Sequence, residues 1–586
     1  MAGRGATRVT LALAPGEMCV LPAGGTQVVE IGAGDASARY LMVVQSALQT
    51  PGATTRLRLA AQAEGAAAAR VPPVATPART APADDFGFED GGIDLEEASR
   101  AELAFRANAR RAVLEARPLR QVRASPTGPG PVRASATSSA VMPPSVGDTV
   151  MFSNAVHPDL EVDCDGIHDV TAVVRAVGPN FAVVEDLDGA GVVLDGGYES
   201  VLGALERGVF PVLSAYFGEP ADLDRNGVVW ILFTPVVNRT TPRDSDTRIS
   251  GFFNPADLAD PESCPASNGG EILYLLAPDP DGRFSKPVPE EFATTGAIGV
   301  AAHELAHLIS AERRTVLSQG SFASLEVTWL SEALAHSAET FIGMSGAFLG
   351  PGANYGFEEL FANSGNFETF HLPNFRRAAF YLHGPHRTPA LGDADLRDPG
   401  GISSLAMRGF GWLFLRWLAD QYATGGGGLL GGVAEEAIFH DLAGGGNGRA
   451  RGIENVERVA SAHGGPATWD DLLASWTLAP IADDQPGAPP STQVTTLQIR
   501  DVFAGLHREL QGKRPFATAF PLRATEIALA AGTDARIDFE LGASTGYYFT
   551  LESAGPHPQM RVELTTQAGL AVPSSQEIRI VALRIR

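Results

Sequence analysis

The stretch "GVAAHELAHLISAERR", Gly299–Arg314, carries His303 and His307 four residues apart, with Glu304 directly after the first histidine. On a helix, positions four apart lie one turn apart on the same face, so the two imidazoles can grip one metal ion. Ile298, Ala302, Leu305 and Ile309 recur at helical spacing on another face and no proline interrupts, so a helix is expected here. Neutral imidazoles suit Zn²⁺, and a catalytic zinc takes three protein ligands and keeps an open position for water. Glu304 is placed to take a proton from that water as general base. The third ligand must come from elsewhere in the chain.

A three-histidine site of the metzincin kind needs Gly three residues and His six residues after His307. Ser310 and Arg313 stand there instead. An aspartate-liganded site would bring a Gly-Thr-x-Asp string downstream, and the chain has none. A glutamate-liganded site needs a second helix presenting Glu, and "TWLSEALAHSAETFIG", Thr328–Gly343, offers one. Trp329, Glu332, His336 and Glu339 fall at spacings of three, four and three residues and share one face. Leu330, Ala333, Leu334 and Ala338 cover much of the rest, so the helix reads as buried with a polar stripe that needs a partner. The alternative is a surface helix with Glu332 and His336 in a local ion pair. Its position after the His-Glu-x-x-His helix, with residues 308–331 between, favours Glu332 as the third ligand. His336 and Glu339 are then candidates for hydrogen bonds behind the ligands.

The string Trp329-Leu330-Ser331-Glu332-Ala333 resembles the Trp-Leu-Asn-Glu-Gly segment of gluzincin metallopeptidases. The order of "DLDRNGVVWILFTPVVN", "SGFFNPADL", "SNGGEILYLLAPD", the His-Glu-x-x-His helix and the late segment "FGWLFLRWLADQY" is similar to the hyicolysin-like bacterial zinc peptidases. The resemblance covers about residues 215–425. It implies zinc on His303, His307 and Glu332, Glu304 as catalytic base, a protein or peptide substrate, and an extracellular or periplasmic address. It also implies that Gly270–Leu276 is the edge strand beside the cleft, where an extended peptide could add. Ser331 and Ala333 depart from the family's Asn and Gly. His336 stands where thermolysin-like members place an acidic residue, and Phe410 stands near an expected Tyr. Candidate oxyanion donors in its place are Tyr355, Tyr381, His383, His386 and Arg408.

The surrounding chain sets the frame. At 586 residues it is too long for one core. A net charge of −24 argues against a general binder of nucleic acid or anionic membrane. The Arg-, Ala- and Gly-rich composition looks like a high-GC bacterial gene. Three cysteines allow one bridge at most, with Cys164–Cys264 the candidate pair. No apolar run is long enough for a transmembrane helix, and the N-terminal patch is too weak for a secretory signal. Short alternating runs predict an N-terminal β-domain over 1–62 and a C-terminal β-sandwich over 492–586. Between them are expected a linker, 63–144, with a helix over 94–117, a small β-unit, 145–195, and the catalytic domain, 196–485, mostly helical in its later part. That helix is a strut or a pro-segment. The fold class is therefore α+β, a zincin-like peptidase domain flanked by β-sandwich-like domains, and the terminal β-regions could touch a cell surface or a polysaccharide.

Asp222, Asp224, Asn226 and Gly227 match the first half of a calcium loop, but Phe233 occupies the twelfth position. The simpler reading is a tight turn feeding a buried strand, Val228–Phe233, with Ca²⁺ as the alternative. Taken together, the expected function is a zinc endopeptidase. The alternative is a secreted binding or scaffold protein with a structural or vestigial zinc site, closed by a fourth ligand. A latent variant would place Cys19 or Cys164 in the open position.

Overall fold

The computed structural model places both motif segments on helices, Glu290–Arg314 and Thr328–Gly346. It describes residues 7–586 apart from 22–26, 33–37, 51, 65–88, 91–92, 95–104, 107, 114–142, 155, 160, 166–167, 193–195, 245–247, 389–390, 392–403 and 554–558. Glu290 and Glu291 sit in the first turn of the first helix and Arg313 and Arg314 in its last, which complements the helix dipole.

In chain order the strands begin with β1 (Thr7–Leu11), β2 (Met18–Leu21), β3 (Gln27–Gly32), β4 (Arg39–Ser46) and β5 (Thr54–Ala63). The short hairpin of β6 (Glu89–Asp90) and β7 (Ile93–Asp94) follows. Next come β8 (Thr149–Asn154), β9 (His168–Val177), β10 (Phe181–Asp186), β11 (Val229–Thr234), β12 (Gly251–Phe253) and β13 (Ile272–Leu276). The last are β14 (Thr525–Leu529), β15 (Asp534–Gly542), β16 (Gly546–Ser553), β17 (Gln559–Thr566) and β18 (Ile578–Arg584).

The six strands from β8 to β13 form one sheet in the order β12-β13-β11-β10-β9-β8. Alternate residues of β11 face opposite ways, as the strand period requires. Val229, Ile231 and Phe233 join the apolar core that contains the motif helices, while Trp230 and Leu232 join a separate cluster on the other face. Two expectations change here. Residues 145–195 are not a separate β-unit, because β10 pairs in parallel with β11 and so carries β8 and β9 into the same sheet. Gly270–Leu276 is not the edge strand either: β13 is flanked by β11 and by the three-residue β12, which is the edge.

The two chain ends, expected as separate β-domains, are interleaved in two facing sheets. One runs β1-β3-β17-β5-β15 and the other β14-β16-β4-β18-β2. The reason is pairing across the whole chain: Val29 lies opposite Val562, and Val43 lies opposite both Tyr548 and Val581. Met42, Val44, Leu59, Phe549, Val562 and Ile580 are among the residues filling the space between these sheets. The unit docks on the helical region through Thr477 Oγ1 to Gln45 Oε1 (3.1 Å) and Trp469 Nε1 to Ser544 Oγ (3.1 Å).

Most of the linker expected over 63–144 lies outside the described residues. Within it, residues 105–106 and 108–113 are helical. Phe105 and Ala109 are buried in the cluster on the far face of the sheet, with the Phe105 ring 4.6 Å from that of Phe252 on β12. This helix therefore lies against the sheet's β12 edge. No helix among the described residues is long and apolar enough to cross a membrane.

Candidate metal centre

His303 and His307 project from one face of the first motif helix, and Glu332 from the facing turn of the second. His307 Nε2 lies 3.2 Å from His303 Nε2 and 3.5 Å from Glu332 Oε1, and His303 Nε2 lies 3.6 Å from Glu332 Oε2. A tetrahedral ion with bonds of about 2.0–2.1 Å spaces its donors roughly 3.3 Å apart, so these atoms fit one zinc-sized cation. Glu332 is fully buried, and its oxygens are paired with the guanidinium groups of Arg106 and Arg408. A buried carboxylate is costly unless positive charge faces it, and a metal ion can supply that charge as arginine does. The donor set is therefore suited to a metal ion, and these three residues could hold one.

The outer nitrogens of both histidines are held. His303 Nδ1 lies 2.8 Å from Glu339 Oε1 and His307 Nδ1 lies 2.9 Å from Ser331 Oγ. With the protons on Nδ1, the Nε2 lone pairs point into the shared space, which is the usual device for fixing a ligand tautomer. Glu339 Oε1 also meets His336 Nδ1 at 3.1 Å, and Glu339 Oε2 accepts from Asn374 Nδ2 at 3.1 Å. Glu339 thus occupies the carboxylate position behind the ligand that His336 was read as displacing. His336 is buried with its Nε2 unpartnered, 3.9 Å from Glu332 Oε2.

Glu304 faces the same space. Its Oε2 accepts the Phe253 N–H of the β12 edge at 2.9 Å. Arg106, from the helix over 105–113, places its Nη2 3.1 Å from Glu304 Oε1 and its Nε 2.6 Å from Glu332 Oε1. Arg110 on the same helix donates to the Glu326 carbonyl at 2.9 Å. From the late helix, Ser404–Tyr422, Arg408 reaches Glu332 Oε2 at 3.2 Å. That approach depends on Gly411, where an added Cβ would come 2.8 Å from the Ala333 Cβ.

The electrostatics follow from these contacts. Burial pushes Glu332 up, but Arg106 and Arg408 outweigh it and hold the carboxyl well below its usual range. Burial, then the Arg106 charge, keeps His307 well below an ordinary imidazole. Burial also pulls His303 down, yet hydrogen bonds to Glu332 and Glu339 and the Glu304 charge raise it to about 9. In this arrangement arginine supplies the positive charge that the carboxylates demand.

His303, Glu304, His307, Glu332, His336 and Glu339 are all brought together. Of the five oxyanion candidates only Arg408 is placed among them. Tyr355 accepts from the Gly350 N–H, Tyr381 is buried beside Phe410 and Trp476, His383 meets the Pro515 carbonyl and His386 lies beside Tyr547. Latency through a thiol finds no support, since Cys164 is bonded to Cys264 and Cys19 lies on β2 of the sandwich. Arg106 and Ser331 were not read as site residues. Ser331 had a signal, its position directly before Glu332, whereas Arg106 had only a helical arginine-rich context.

No protein-family model matches the chain. A stretch of 129 residues is 30% identical to the neutral metalloprotease ShpI of Staphylococcus hyicus. That match covers 22% of this chain and 27% of ShpI, so the chain spans about a quarter of that relative's length. The likeness supports a metallopeptidase relationship.

Proposed function

We propose that the chain is a zinc-dependent endopeptidase of the gluzincin type, similar to the hyicolysin-like peptidases, with zinc held by His303, His307 and Glu332. The observation that carries this reading is the convergence of two Nε2 atoms and one fully buried carboxylate beside Glu304. When bound, zinc supplies Lewis acidity for the scissile carbonyl and acidifies water. Glu304, steadied by the Phe253 N–H, takes the proton from water and returns it to the leaving amine. Once the helix over 105–113 is displaced, an extended substrate pairs along the outer edge of β12, which sets its scissile bond beside Glu304. Arg408 acts as a positioning residue for Glu332 through their ion pair. The disulfide Cys164–Cys264 favours an extracellular or periplasmic address.

The described state is latent in this reading. The helix over 105–113 lies along the β12 edge, and Arg106 contacts both the base and the glutamate ligand. Proteolysis within the surrounding linker, or displacement of the helix, opens the site.

The competing reading, a structural zinc in a binding protein, rests on His336. Its unpartnered Nε2 near Glu332 could close the site as a fourth ligand. Zinc analysis of His336→Ala separates the two. The peptidase reading expects one zinc per chain to remain, whereas loss of the metal would favour the closed site.

Glu339 provides a graded test of the histidine geometry. Glu339→Gln is expected to weaken zinc binding about 10–100-fold, the usual effect of losing a carboxylate behind a histidine ligand. Competition against a chromophoric chelator measures this. An unchanged affinity would remove Glu339 from the ligand support.

A further inference from the structure

Taking the peptidase reading as its basis, we infer that the cleft holds a guanidinium seat beside the metal ligands, and that the substrate is a peptide with arginine within about two residues of the cleaved bond. Arg106 and Arg110 are four residues apart on the helix over 105–113 and so project to the same side. Arg106 lies on Glu304 and Glu332. Arg110, one turn on, enters the neighbouring stretch of the cleft. Its Nη1 donates to the Glu326 carbonyl at 2.9 Å and its Nη2 to the Leu325 carbonyl at 3.3 Å. One helical turn is about 5.4 Å, less than the rise of two residues in an extended strand.

The seat is built from fixed groups. Leu325 and Glu326 precede Val327, the N-cap of the second motif helix, so their carbonyls stand outside its hydrogen-bond ladder. The Glu326 carboxylate locks this loop by accepting the Val327 N–H at 2.7 Å, the Gly452 N–H at 2.6 Å and Asn455 Nδ2 at 3.0 Å. Arg314 lies behind the loop, and Glu326 Oε2 meets it at 3.2 Å, so the loop turns carbonyl oxygens rather than net positive charge toward the cleft. Arg110 is half-buried beside a cavity of about 80 Å³ whose walls include Phe253 and Pro255 at the β12 edge, Ala311, Leu325 and the metal ligand His307. The seat therefore adjoins the metal centre.

Two acceptors met by two nitrogens of one planar group suit arginine in particular. A lysine ammonium reaches them as a single point charge, and an apolar side chain would cover both carbonyls without pairing them. Phe253, Ala311 and Leu325 are buried apolar walls, against which an arginine stem packs while its head is bonded. A site whose buried polar groups are met by a substrate's donors discriminates strongly against a side chain that lacks them. When the helix is displaced, Arg110 leaves and a substrate arginine takes its place. The rival account is that Arg110 only fastens the helix and that the vacated space accepts any side chain.

The test uses the full zinc-loaded chain in two arms. For binding, Arg106→Ala and Arg110→Ala vacate the cleft and Glu304→Gln slows turnover; Arg110→Met, which keeps an apolar stem, replaces Arg110→Ala if that chain fails to fold. Fluorescence anisotropy with labelled alanine-based heptapeptides, carrying a central Arg, Lys or Leu, is expected to give a dissociation constant at least about tenfold lower for Arg. For cleavage, the chain with Arg106→Ala and Arg110→Ala digests casein and the cuts are read by mass spectrometry. Arginine should be enriched over lysine at least about tenfold at a single position within two residues of the cut. Equal affinity for the three peptides, binding of none of them, or casein cut without regard to arginine would overturn the seat. Casein left intact while the arginine peptide keeps its advantage would instead remove the peptidase reading and leave the seat standing as a binding site.

Discussion

Glu304→Gln is expected to keep one zinc per chain and to lower peptide hydrolysis by roughly 10²–10⁴-fold, the range for loss of a positioned general base. Gln is nearly isosteric and its amide oxygen can still accept the Phe253 N–H, so the β12 edge should keep its position. What disappears is the carboxylate that receives the proton. The assay belongs in a chain whose Arg106 helix has been released, since both forms would otherwise be masked by the same block. Casein-type substrates with zinc measured in parallel give the answer. Full activity with normal zinc would remove Glu304 from its role as base.

Arg106→Ala is expected to raise activity by about 10- to 150-fold. Hydrogen bonds to charged groups contribute about 1.5–3 kcal/mol each, and the range is that of a single such bond because zinc and water take over part of the lost pairing with Glu304 and Glu332. The side chain of Arg106 is 12% exposed, so little solvent screening reduces its pairs with Glu304 and Glu332. A second readout does not depend on turnover. Glu332 Oε1 faces both Arg106 Nε and His307 Nε2, so arginine and metal compete for one oxygen. Zinc should therefore bind more tightly to Arg106→Ala than to the unaltered chain, and the amides of residues 105–113 should exchange faster in the variant. Equal activity, equal zinc affinity and equal exchange would make the helix a strut.

The motif pair was legible because local periodicity fixes it. His303 and His307 share a helical face by spacing alone, and the stripe from Trp329 to Glu339 announces a buried helix that needs a polar partner. Only the fold could show that Glu339, rather than His336, backs His303, since both lie on that stripe and the difference is one of aim. Ser331 read as a departure from a familiar string, yet it holds the outer nitrogen of His307. The β12 edge was missed because "GFF" is too short to alternate, while the longer apolar run at Ile272–Leu276 looks more like a strand.

Contacts between distant segments were the least legible. Arg106 meets Glu304 across 198 positions, and no spacing rule connects a linker helix to an active cleft. The pairing of the two chain ends into one sandwich did not show for the same reason, since local alternation identifies strands such as Gln27–Gly32 and Gln559–Thr566 without saying that they pair. Glu312 carries no local signal in the sequence, and its burial beside Glu271 is a tertiary fact. The cysteine pair was easier, because three cysteines leave few choices and Cys164–Cys264 was the candidate named.

All of these expectations rest on the proposed open zinc site of His303, His307 and Glu332. Zinc-edge X-ray absorption on the purified full chain, with the metal counted, tests it most directly. One zinc is expected, bound by two imidazoles and carboxylate oxygen, with a remaining position taken by water at about 2.0–2.2 Å. A chain that takes up no zinc, or a zinc closed by a third imidazole with no water position, would contradict it.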